Sequence, residues 1–184
     1  MSFVKAMIYS KIQQSFVPVT VSKKSYDLKD FGIFTKYSIF DKRILLGHVD
    51  LQDTPKGVFV EFIENLHPDL YSGFGKLADQ IEVEHCLNRG LDTFEINSDA
   101  ALNSHAVHYL RGKRFKEIRS KDIAKEMMAR FQTQDPNIIV QKIINLTPKG
   151  EKYITNFLGK VSMFMPKEMI NRYLEIIKRA PILK

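Results

Sequence analysis

A mixed α/β fold is what the sequence predicts: a central sheet opening as an antiparallel meander, a Gly-x-Gly turn feeding a crossover helix, and a helix-rich tail. Three observations carry this. Residues 33–66 fall into three runs of β-formers separated by turn signals. At Gly73-Phe74-Gly75 the apolar period switches from that of a strand to that of a helix. After Ser120 most apolar residues keep helical spacing.

The elements follow in order. Residues 3–9 suit a strand or a helix equally, and Phe16–Val21 reads as an edge strand because Pro18 lacks the N–H a central strand needs. Ile33–Phe40 and Ile44–Leu51, joined by Asp41-Lys42-Arg43, form a hairpin. The turn signal Asp53-Thr54-Pro55-Lys56-Gly57 leads into a third meander strand, Val58–Leu66. Phe74, Leu77, Ala78 and Ile81 line one face of a helix ending near Asn88-Arg89-Gly90. Thr93–Ile96 is a short strand, making a crossover with parallel strands, and Leu102, Ala106, Tyr109 and Leu110 form the next helical stripe.

In the tail, Ser120 is an N-cap ahead of Ile123, Ala124, Met127, Met128 and Phe131. The apolar, β-branched stretch 138–146 reads as an added strand. Thr147-Pro148 opens a helix with the stripe Tyr153, Ile154, Phe157, Leu158 and Val161, and Pro166 starts a last one. The whole is expected to be a single domain, with a ligand-binding core over 31–118 and a helix-rich extension over 119–184.

Composition narrows the class. The chain has 184 residues, 44% hydrophobic and 27% charged, which suits a globular protein with its own core. No apolar run approaches the ~20 residues of a membrane helix, and the first residues lack a signal-peptide pattern. Cys86 is the only cysteine, so no internal disulfide forms; a reducing, cytoplasmic setting is expected, with Cys86 as a buried helix residue. The net charge of +7 is uneven. Residues 1–30 carry five basic and two acidic residues, residues 31–110 six and twelve, and residues 111–184 seventeen and seven. Aromatics in the basic tail sit on apolar stripes rather than among the charges, so nucleic acid is not the expected partner. Those stripes also suit a homo-oligomer interface. His105 and His108 have metal-ligand spacing but no neighbouring Cys or carboxylate cluster, so no metal is expected.

The residues that suggest a ligand are Gly73-Phe74-Gly75-Lys76. A glycine turn entering a helix offers unpaired N–H groups and the positive end of the helix dipole, which together hold phosphate. The ligand implied is a pyrophosphate-bearing cofactor.

Leu45-Leu46-Gly47-His48-Val49 on one strand, Leu66-His67-Pro68-Asp69 after the next, the Gly73–Lys76 turn, Asn103 with Ala106, and Phe115 come in a fixed order. This order resembles the GNAT superfamily of acyl-CoA N-acyltransferases over about residues 31–118. The resemblance implies a GNAT-like mixed sheet with a splay between Val58–Leu66 and Thr93–Ile96, where pantetheine lies. It implies acetyl-CoA as cosubstrate, with its pyrophosphate on the backbone of Ser72, Gly73, Phe74, Gly75 and Lys76. Asn65 and Leu66 would bind pantetheine and polarise the thioester carbonyl, and Asn103 would contact the cofactor arm. It implies transfer of acetyl to a primary amine by direct attack, with a carboxylate base on the Val58–Leu66 strand.

Glu61 and Glu64 are the candidates for that base. Three apart, they face opposite sides of a strand unless a bulge intervenes. Glu61 shares its face with Phe59 and Ile63 and is preferred. His48 and Asp50 alternate onto one face of the neighbouring strand, bordering the acceptor site. Residues 10–30 leave no room for the two helices the family places there, which suits an open groove and a peptide or protein amine. The chain departs from the family at Leu70, where a polar cradle residue is common, at Leu110, where a Tyr acid is common, and at Arg114, where a glycine precedes the Phe. The alternative these departures raise is a non-catalytic acyl-CoA-binding or protein-interaction module.

Overall fold

The computed structural model describes residues 4–100, 105–146, 158, 160–179 and 182–183. The chain divides into two compact units, Met1–Ile96 with Ile170–Lys184, and Asn97–Met169.

In the first unit the meander comes out as read. Strands β1 (Val4–Ser10), β2 (Ser15–Leu28), β3 (Gly32–Asp41), β4 (Ile44–Thr54) and β5 (Gly57–Asn65) pair antiparallel in sequence order, and β6 (Tyr71–Ser72) closes the far edge against β1. Helix α1 (Phe74–Asn88) follows, then β7 (Glu95–Ala100), whose Glu95 N–H donates to Lys56 O beside β5. The order of meander, glycine turn, helix and strand is that of the expected mixed α/β fold.

Strand β2 is longer than expected, and it is not an edge strand. It pairs β1 over Ser15–Val21 and β3 over Thr20–Leu28. Pro18 survives because it precedes the β3 ladder, so at that residue β2 has one neighbour and the missing N–H takes nothing from β3.

One face of the sheet is the core. Thr35, Tyr37, Ile39, Val49, Leu51, Val58 and Val60 are buried on it. Helix α1 covers this face and is itself covered by α5 (Lys167–Arg179), which Pro166 precedes as expected. Tyr173 donates to Asp79 Oδ2 at 3.2 Å, and Glu84 accepts the N–H of Ile182 at 2.8 Å. The other face carries Lys36, Ser38, His48, Asp50, Phe62 and Glu64, half-buried or exposed. Among the described residues no helix of this unit packs there.

In the second unit β7 pairs β9 (Val161–Phe164), which pairs β8 (Arg114–Phe115). Helices α2 (His105–Leu110), α3 (Lys121–Phe131) and α4 (Pro136–Leu146) enclose a core of Ala100, Ala106, Phe115, Met127, Ile139, Val140, Leu158, Val161 and Met163. Ser120 caps α3, its Oγ accepting the Ile123 N–H. The expected added strand at 138–146 is instead α4. Its Ile139, Val140, Ile143 and Ile144 lie at i, i+1, i+4 and i+5, a helical stripe, and Asp135 accepts the Asn137 N–H ahead of Pro136 at the first helical position. The added strand is β9, at the end of the stripe read as helix. The expected helix from Thr147 falls mostly outside the described residues. Tyr109 packs against the core with Arg114 over its ring.

A buried polar chain ties α1 to the sheet. Tyr37 OH donates to His85 Nδ1 at 2.7 Å, and His85 Nε2–H donates to Asp53 Oδ1 at 2.7 Å. Arg89 meets Asp53 at 3.3 Å and donates to Thr54 O at 2.9 Å. Burial pushes the His85 pKa down, against the opposing pull of Asp53, so the ring is held neutral. Unfolded, it titrates near ~6.5. A depressed folded value means stability is present above that pH and lost as pH falls below it. Burial and nearby Arg111, Lys113 and His105 push His108 down to about 2, adding a slope of the same sign. Urea midpoints of the wild type between pH 7.5 and 5.5 are therefore expected to fall more steeply than those of His85→Gln; parallel slopes would refute a buried neutral His85.

Candidate functional site

Helix α1 begins with its anion-binding end bare. Gly73, the N-cap, sits at φ 89° with open space about its α-carbon, no side chain caps the helix, and the first turn has no acidic residue. That left-handed backbone suits glycine. Lys76 and Leu77 N–H return to Gly73 O at 3.0 and 3.1 Å. The N–H groups of Phe74 and Gly75, at the first two helical positions, have no carbonyl one turn back to bond. Gly73 and Lys76 are exposed, and Ser72 is half-buried in β6 beside Tyr9. The donor set fits a phosphate: neutral N–H groups, a dipole and the Lys76 cation, with no carboxylate in the first turn.

Phe74 fixes where that end lies. Its buried side chain rests on Gly47 of β4, where an added Cβ would stand 2.8 Å from the Phe74 ring and 1.9 Å from Glu64 O.

Before the turn, Asn65 Oδ1 accepts the His67 N–H at 3.0 Å, and Leu66 N–H donates to Leu46 O at 2.9 Å. Leu66 thus spends its N–H on β4. Strand alternation turns the N–H and C=O of Asn65 to the opposite edge of β5. Asn103 lies outside the described residues.

The two candidate carboxylates part company. The β4–β5 register runs from Asp50↔Phe62 to Leu51↔Val60, so Glu61 is the extra residue of a β-bulge and is exposed. Glu64 pairs with His48 instead. His48 Nδ1 lies 3.6 Å from Glu64 Oε2, and its Nε2 lies 3.7 Å from Asp50 Oδ2. Lys36 Nζ is 3.9 Å from the same Asp50 oxygen, and the Phe62 ring is 5.5 Å from the imidazole. The sequence placed His48 and Asp50 on one face; adding Glu64 to them needed the register across the bulge.

The remaining candidates resolve into packing. Cys86 is fully buried, and burial pushes its thiol up to about 12, far from a reactive thiolate. His105 stacks edge-on to Phe115, while His108 Nδ1 meets Arg111 at 2.8 Å. No group of three potential metal ligands occurs among the described residues, and no helix among them is long and apolar enough to cross a membrane. Leu70 and Leu110 are both exposed.

No family model and no characterised protein sequence matches the chain. A solved structure that the chain resembles is described as a crystal structure of an acyl-CoA N-acyltransferase from Pseudomonas aeruginosa. It matches with a TM-score of 0.43 and 12% identity, covering 73% of this chain and 70% of that one.

The Gly47–Phe74 contact is open to direct test. In Gly47→Ala the new methyl meets the Glu64 carbonyl and the Phe74 ring, so β4 and β5 must part or the ring must leave. A loss of about 3 kcal/mol in urea unfolding is expected. Unchanged stability would mean that Phe74 is not seated on Gly47.

Proposed function

We propose that this chain is an acyl-CoA-dependent N-acyltransferase that moves an acetyl group from acetyl-CoA to a primary amine by direct attack. The observation that carries the reading is the start of α1: exposed, uncapped, free of acid and opened by a left-handed Gly73. It supports a pyrophosphate held by the backbone from Ser72 to Lys76. The outward N–H and C=O of Asn65 supply amide-like partners for a pantetheine arm. Asn103 is proposed to contact the same arm.

The chemistry needs a free amine. An ammonium must lose one proton before its nitrogen attacks the thioester carbon; the C–S bond then breaks, and the thiolate gains a proton. Glu64 is the proposed acceptor of the first proton. Glu61 stands in the bulge three residues before it and is kept as an outer carboxylate on the acceptor's path. Among the described residues no helix of the first unit packs on the face around Glu64, which suits an amine borne on a peptide or protein.

A second reading, acyl-CoA binding without turnover, draws on Leu110, which is exposed where a Tyr acid would stand. Thiol release that depends on an added amine would exclude it.

Acetyl-CoA at a hundredfold excess over its Kd is expected to raise the melting temperature by about 5–10 °C. Gly73→Asp, which puts a carboxylate at the phosphate site, is expected to abolish that rise. Should neither acetyl-CoA nor CoA move the transition, and Gly73→Asp behave like the wild type, the proposal fails.

A further inference from the structure

We propose that Glu64, His48 and Asp50 form a proton relay on the open face of the sheet, in which Glu64 meets the ammonium of a peptide amine and His48 stores its proton. The inference rests on the acyl-transfer reading and adds to it a positioning residue and an acceptor class.

The geometry sets the direction of the relay. His48 stands between two carboxylates, Glu64 opposite it on β5 and Asp50 two residues along β4, with Asp50 held in turn by Lys36 of β3. A neutral imidazole carries one N–H. Placed on Nε2, that hydrogen faces Asp50 and leaves the Nδ1 lone pair toward Glu64. Nδ1 of His48 and Oδ1 of Asp50 are both buried and without a hydrogen-bond partner. A carboxylate facing a lone pair gains nothing, but a protonated Glu64 facing it donates a hydrogen bond. The Nδ1–Oε2 separation is 3.6 Å, and catalytic contacts of this length often tighten once substrate binds.

The proton count closes. Glu64 takes one proton from R–NH3+ and passes it to Nδ1, giving an imidazolium flanked by two carboxylates. The freed amine attacks the thioester carbon, the N–C bond forms and the C–S bond breaks. The second nitrogen proton goes to the departing thiolate, and the stored proton leaves to water. The charged groups facing His48 are Glu64 from β5, Asp50 on β4 and, through Asp50, Lys36 from β3.

The acceptor class follows from the surroundings. Phe62, half-exposed, lies beside the His48 ring, so an ammonium at Glu64 has an aromatic face next to it. Among the described residues no helix of the same unit lies over this face, which suits an amine carried on an extended peptide.

The test compares wild type, His48→Gln and Glu64→Gln in amine-dependent thiol release with acetyl-CoA and a lysine peptide. Acetyl-CoA affinity is measured separately by native mass spectrometry. His48→Gln is expected to lower kcat about 100-fold and to leave KM for acetyl-CoA within twofold. A kcat within threefold of wild type overturns the relay. Independently of turnover, the His48 ring resonances should shift when lysine peptide is added to wild type, and not in Glu64→Gln; rings that stay unmoved in wild type also overturn it. If acetyl-CoA fails to bind while the ring still responds to the peptide, the acyl-transfer reading falls and the amine site stands.

Discussion

The burial of α1 on both sides is the constraint on which the first unit depends. Ten of its fifteen residues are buried, more than one apolar stripe supplies, so Asp79, Glu82, Glu84 and His85 are buried with them. Each must find a partner or cost more than a packed apolar residue would. Toward the sheet, His85 finds Tyr37 and Asp53. Toward α5, Asp79 finds Tyr173, while Glu84 gathers backbone N–H groups of Ile182 and Leu183 and the Gln80 amide. Burial raises the Glu84 pKa, and those donors pull it back. Slipping the helix by one residue would orphan every one of these groups, so polar pairing fixes the register that apolar contact alone leaves loose.

That register determines what the start of the helix can do. With the far end held by the His85 chain and Arg89, Phe74 comes to rest over Gly47, and Gly73 is left in the open. A helix whose first turn had packed inward would have covered its own N–H groups.

The parts of this arrangement that depend on neighbouring residues were legible in the sequence. The meander turns, the Gly73 start of α1, its end near Arg89 and the Ser120 cap all follow from local chemistry. The misread parts depend on partners distant in sequence or on competing local signals. For residues 138–146, β-branched composition outweighed the i, i+4 spacing and the Asp135-Pro136 start. For β2, Pro18 by itself points to an edge, whereas the β3 ladder begins only two residues later. For the carboxylates, the bulge at Glu61 shifts the phase of β5, so that Phe59 and Phe62 oppose Gln52 and Asp50 on one face. Simple alternation puts Glu61 on the face of Phe59 and Ile63; the bulge interrupts that alternation, and a bulge leaves no mark in composition.

Strand β4 joins the two proposed halves of the site. Gly47 and His48 are consecutive, so they face opposite sides of the sheet. Gly47 seats the helix whose start is the proposed anion site, and His48 pairs with Glu64 on the opposite face. Their partners on β5 are consecutive too, Asn65 and Glu64. A thioester arm bonded at the outer edge by Asn65 would thus run within about one residue's rise of the carboxylate proposed to free the amine. The amine would come from the face of Glu64 and the cofactor from the helix end, so neither reactant need cross the other's path. The shared strand sets the spacing between them through backbone pairing, which is stiffer than any side-chain contact. A bulge in β5 beside this pair, at Glu61, then places Glu64 in phase with His48.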